Sequence, residues 1–75
     1  MDWGTVFNYI KEGGVLARRE GWNGKGLAIE VYPAGANVQP YFVMKKPDGT
    51  IQPGWVPSVG DLFAQDWGII SQHHA

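Results

Sequence analysis

Apolar side chains at Val6, Phe7 and Ile10 fall at helical spacing near the start of the chain. The pattern predicts an amphipathic helix running to about Lys11, capped by Asp2 or Thr5 and ended by Gly13-Gly14. A helix of about two to three turns is marginal alone in water, so its apolar stripe must lie on a sheet. The pattern then changes. The runs "VLARR", "LAIEVY" and "YFVMKK" are rich in β-branched and aromatic residues and bounded by Gly, Pro and Asn clusters, which predicts three strands. In the third, Tyr41, Val43 and Lys45 alternate with Phe42, Met44 and Lys46, so both faces carry apolar groups, as in a covered sheet or a subunit interface.

"PDGT" at 47–50 is a hairpin signal that folds residues 41–46 back on a strand near 50–55. Pro53 and Gly54 interrupt that second arm, which marks an edge or a bulge. In "PSVGDLFAQDW", Ser58 precedes Asp61 by the spacing of a capping box, and a short helix or helical turn should follow. "WGII" reads as a last strand. The expected fold is α+β: a small antiparallel β-sheet with an N-terminal α-helix and a short second helix before the last strand.

Size and composition narrow the choices. The chain has 75 residues, which fits one domain over residues 1–75, with no linker, repeat or low-complexity tract. So small a core is marginal alone, and self-association would help it. The absence of cysteine removes disulfides, thiol catalysis and Cys-based zinc sites. The start "MDWGTVFNYIKEGG" lacks the basic and long apolar regions of a secretory signal, and no stretch approaches the roughly 20 apolar residues of a membrane span. A cytosolic protein without membrane association is expected. A formal charge of −1 argues against long nucleic acids, although Arg18, Arg19 and Lys25 lie close together and could serve a small anion. His73 and His74 are adjacent in the tail, a poor arrangement for a metal, and no metal or other cofactor is expected.

The candidate chemistry is that of a binding protein. The acids are scattered and the histidines sit only in the tail, so no nucleophile with a base, carboxylate pair or metal cluster can be assembled, and no enzyme is expected. The loop "GWNGKG" at 21–26 matches neither the Walker pattern nor the dinucleotide fingerprint. Two uses of it remain open, and the two are compatible with each other. Its glycines could serve a strand connection with Trp22 folded onto the core, or they could let backbone amides approach phosphate while Trp22 offers a ring to a base and Lys25 or Arg19 supplies charge. If the ring faces a ligand, Trp22→Ala should leave the thermal midpoint little changed.

Four tryptophans, Trp3, Trp22, Trp55 and Trp67, exceed what so small a core can bury, and some should be exposed or interfacial. Trp67 is the best core candidate, and Trp55, between Gly54 and Pro57, is a second candidate for stacking. Asp61 is first of all a cap, and a carboxylate beside exposed tryptophans could also accept from ribose hydroxyls.

Taken in order, "ARREGWNGKG", "MKKPDGTI" and "GWVPSVGDLFAQDW" resemble the small phage proteins of the second Thoeris anti-defence family, over nearly the whole chain. The resemblance implies a non-enzymatic sponge in the cytoplasm of the infected bacterium, one that sequesters the cyclic ADP-ribose isomers made by Thoeris TIR proteins and leaves them intact. It also implies a homotetramer with signal pockets between protomers, and, for some relatives, separate sites for CBASS cyclic oligonucleotides. Mapped onto this chain, Trp22 or Trp55 would stack on the purine; Arg19, Lys25 and the amides around Gly24 would meet the pyrophosphate; Asn23 and Asp61 would address hydroxyls or the base edge.

Three rivals use some of the same residues, and a further one, a hydrolase that destroys the signal, lacks catalytic groups. A sponge for CBASS cyclic di- or trinucleotides needs the same rings and charges. A peptide-binding module would use the tryptophans without the basic loop. A single-strand nucleic-acid binder would need steeply salt-dependent binding, against which the net negative charge stands.

Overall fold

A computed structural model describes residues 1–22 and 26–72, the side chains of residues 71 and 72 excepted. The first element, α1 (Trp3–Ile10), starts where Asp2 stops the chain from extending: its Oδ1 accepts the Thr5 N–H at 2.8 Å and its carbonyl accepts the Val6 N–H at 3.0 Å. Val6 and Ile10, one turn apart, are the residues this helix buries.

Five strands follow the expected order: β1 (Val15–Arg19), β2 (Ala28–Tyr32), β3 (Tyr41–Lys45), β4 (Ile51–Pro53) and β5 (Trp67–Gln72). They form one antiparallel sheet in the order β4-β3-β2-β1-β5, so the last strand returns to pair with the first. Between β4 and β5 lies α2 (Val59–Phe63), opened by the capping box: Asp61 N–H donates to Ser58 Oγ at 3.1 Å and Ser58 N–H to Asp61 Oδ2 at 2.9 Å. The fold is therefore α+β, with the N-terminal helix, the antiparallel sheet and the short second helix where the sequence puts them.

Local chemistry explains the turns. In the β3–β4 hairpin, Asp48 Oδ1 accepts both the Thr50 N–H (2.9 Å) and the Thr50 hydroxyl (2.6 Å). At the end of β4, Gly54 takes φ +85°, and the N–H groups of Gly54 and Trp55 both point to the Phe42 carbonyl, at 2.9 and 3.3 Å. Two residues opposing one is a bulge with glycine in the left-handed region, and it swings the chain so that Trp55 turns in against the core.

The core lies between α1 and one face of the sheet, and unites Val6 and Ile10 with Ala17, Ile29, Val31 and Trp67. Phe42 and Met44 join it from β3. The opposite sheet face follows from the register, in which Ala28, Glu30 and Tyr32 oppose Lys45, Val43 and Tyr41. There Lys45 Nζ reaches Glu30 Oε1 at 2.7 Å, and the Tyr32 and Tyr41 rings lie 5.7 Å apart. At the centre of this face Ala28, Glu30 and Val43 are buried.

Candidate functional site

β1 ends at Arg19, which sits opposite Trp67, the first residue of β5. That register carries the Arg19 guanidinium to the junction of α2 and β5, where two carboxylates wait. Nη1 pairs with Asp61 Oδ1 at 3.0 Å and Nε with Asp66 Oδ1 at 2.8 Å. The capping box has already fixed Asp61, whose Oδ1 also accepts the Trp22 indole N–H at 3.3 Å and whose main-chain carbonyl accepts the Trp67 indole N–H at 2.9 Å. Asp61 thus caps a helix, pairs with a cation and ties down two tryptophans at once.

The rings close around this polar knot. Trp22 meets Trp67 edge-on at 5.3 Å between centroids and Trp55 at 6.1 Å. Trp55 meets Phe42 at 5.5 Å, and Trp3 lies 5.2 Å from Trp67. Edge-to-face packing of this kind adds to area burial, so the cluster is structural as well as a surface. Trp67 is buried, as expected from its place before "GII", while Trp3, Trp22 and Trp55 are half-buried against it.

Of the seven residues singled out in the sequence, Arg19, Trp22, Trp55 and Asp61 come together here, and Asn23, Gly24 and Lys25 lie outside the described residues. The expectation that Trp22→Ala would leave the thermal midpoint little changed does not fit this geometry. Trp22 packs on two other tryptophans and bonds Asp61, so its removal must cost stability. The residue that sequence reasoning missed is Asp66, which accepts from Arg19 and, at 2.7 Å, from the Gly21 N–H. No local motif marks it, because its partners lie 47 and 45 residues away in the chain.

Electrostatically the described part of the site holds one cation against two anions. Bonds from Asp66 and Asp61 raise the Arg19 pKa above its ordinary value. For Asp61, burial pushes the carboxyl up, but bonds from Ser58, Arg19 and Trp22 outweigh it and the net shift is down. Asp66 is lowered by the Arg19 bond, aided by the Gly21 N–H. Carboxyls lowered below the ordinary 3.8 stabilise the fold above that value, and the contribution disappears as pH falls through their folded values. The thermal midpoint is expected to hold steady from neutral pH down to about pH 4 and then to fall, more steeply in the wild type than in Asp61→Asn, which has already lost the ionisable group. Parallel slopes for the two proteins in acid melts would remove Asp61 from this account.

Two clefts among the described residues are lined by neither Trp22 nor Trp55. One of about 200 Å³ lies between Phe7, Lys11, Val31, Pro40, Tyr41 and Phe42. A shallower one of about 340 Å³ runs beside β5 past Arg18, Glu20, Asp66 and Ile69. Trp67 lines this second cleft together with Asp66, so the cleft borders the tryptophan and carboxylate group. Among the described residues, no group of three or more His, Asp or Glu side chains is placed to hold a metal ion. Among the described residues, no helix is long and apolar enough to cross a membrane.

Comparison with known proteins adds two findings. The family model described as Tad2-like, the Thoeris anti-defense 2-like domain, matches residues 1–70. A curated protein named Thoeris anti-defense 2, from Bacillus phage SP01, is 30% identical over 87 aligned positions, which take in 95% of this chain and 96% of that one.

Proposed function

The chain belongs to the phage Thoeris anti-defense 2-like family, and on that premise we propose that it binds cyclic ADP-ribose-type immune signals and holds them without cleaving them. The observation that carries this reading is the convergence of two half-buried tryptophans, Trp22 and Trp55, with a guanidinium and a carboxylate at the foot of a glycine-rich loop. Each part of a cyclic ADP-ribose isomer then has a counterpart. The exposed parts of Trp22 and Trp55 stack on the purine. The pyrophosphate takes the amides around Gly24, the Lys25 ammonium and Arg19 Nη2, which donates to no described residue. Asn23 and Asp61, whose Oδ2 accepts only the Ser58 N–H among described donors, address ribose hydroxyls or the base edge.

The local charge supports this division of labour. With Asp61 and Asp66 facing Arg19, phosphate is drawn toward the loop amides and Lys25, while the acidic side suits hydroxyls. We further propose a homotetramer acting in the host cytoplasm, in which a second protomer closes the site. Support comes from the exposed apolar side chains of Val56, Val59 and Phe63 beside the site, at 76%, 71% and 79% exposure.

A sponge and an enzyme differ in arithmetic. When a fixed amount of TIR-derived signal is titrated with the protein, free signal should fall in proportion to protein added and stop falling within the mixing time. Loss that continues for hours at substoichiometric protein would show turnover and overturn the sequestration reading.

A further inference from the structure

The segment after β1 leaves the sheet at Glu20 and must deliver Trp22 two residues later. Three bonds set that departure. Glu20 N–H donates to the Asp66 carbonyl at 3.1 Å, Gly21 N–H to Asp66 Oδ2 at 2.7 Å, and Trp22 N–H to the Arg19 carbonyl at 3.2 Å. The other oxygen of Asp66 receives Arg19 Nε–H at 2.8 Å. One carboxylate therefore grips the strand end with Oδ1 and the loop start with Oδ2, and both bonds are short and charge-assisted or nearly so.

Gly21 fits this arrangement by what it lacks. Its φ is not in the left-handed region, so conformation does not demand glycine. Proximity does: a Cβ at position 21 would stand 2.9 Å from Asp66 Oδ2 and 3.7 Å from Arg19 Nη2. A side chain there would push the carboxylate off both partners. A plain surface ion pair would need only Arg19 and Asp66. It would not recruit a loop amide or exclude a side chain from the next turn of the chain.

We propose that Asp66 is a positioning residue for the ligand loop, its carboxylate latching Gly21 to Arg19 and so holding Trp22 against Trp67 and Asp61. The proposal rests on the reading of Trp22 as a ligand-binding ring, and it deepens that reading by naming what presents the ring. Asp66 acts through Gly21 and Arg19, and touches no ligand in this scheme.

The test uses the full-length protein labelled with ¹⁵N, wild type against Asp66→Asn and Gly21→Ala, with Asp48→Asn in the distant hairpin as control. Below the thermal midpoint, both latch variants should speed hydrogen exchange of the amide at position 21 by about tenfold or more, the loss expected for a bond to a charged acceptor. The Trp22 indole resonance should move away from its Asp61-bonded position, while those of Trp3, Trp55 and Trp67 stay dispersed. Affinity for a purified cyclic ADP-ribose isomer should fall about tenfold in step. Asp48→Asn should change none of these.

An unmoved Trp22 indole and unchanged exchange in both variants would overturn the latch. So would affinity that survives a loosened loop. Collapse of all four indole resonances in both would also overturn it, by making Asp66 a support of the whole domain. If the wild type binds no such signal, the ligand reading falls while the exchange and indole data still decide whether Asp66 positions the loop.

Discussion

Trp22→Ala is expected to weaken retention of the signal and to lower the thermal midpoint, both in one variant. The loss of one stacking ring weakens binding by about ten- to a hundredfold. The loss of stability follows from the same ring's second use, its contacts with Trp67 at 5.3 Å and Trp55 at 6.1 Å and its bond to Asp61. For a half-buried aromatic this is about 1–2 kcal/mol, or several degrees at about 4–8 °C per kcal/mol in a domain of this size. Trp22→Phe separates the two roles. It keeps a ring for stacking and much of the packing but leaves Asp61 without its indole donor, so binding should fall less than stability alone would suggest. Calorimetric titration beside thermal melts of the two variants checks this, and Trp22→Ala protein that melts lower yet binds as tightly as wild type would remove Trp22 from the site.

Trp67→Ala should have the largest effect on folding. Trp67 is 2% exposed, touches three other tryptophans and donates its indole N–H to the Asp61 carbonyl. Emptying such a position costs about 3–5 kcal/mol. A chain this small has only about 4–11 kcal/mol in total, at the usual stability per residue. The variant should therefore be largely unfolded near body temperature, with lost chemical-shift dispersion and a broad or absent melting transition. A sharp transition within a few degrees of the wild type would mean that the tryptophan cluster is not the centre of the core.

What was legible in the sequence is what short-range chemistry writes. Asp2 capping α1, the Ser58–Asp61 capping box, the Asp48–Gly49 turn and the interruption at Pro53-Gly54 all depend on residues within four positions of one another, and each is present. The placement of Trp67 in the core was also readable, from an aromatic residue opening an apolar run. The knot of the site was only half readable. Arg19, Trp22, Trp55 and Asp61 were each conspicuous, but their meeting depends on β5 returning to β1, a pairing no local pattern encodes. Asp66 escaped notice for the same reason, since an aspartate before a strand looks like any surface acid until the register brings Arg19 to it. Both uses of Trp22 were open in the sequence, a ring folded onto the core and a ring offered to a ligand, and packing shows that it lies against the core.

The most direct test of the central claim is to mix the purified protein with a TIR reaction product, filter away unbound small molecules, then denature the retained protein by heat and identify what it releases by mass spectrometry. The account predicts intact cyclic ADP-ribose isomer appearing only after heating, in a fixed ratio to protomers. Signal left in the filtrate, or opened or hydrolysed products after heating, would contradict it.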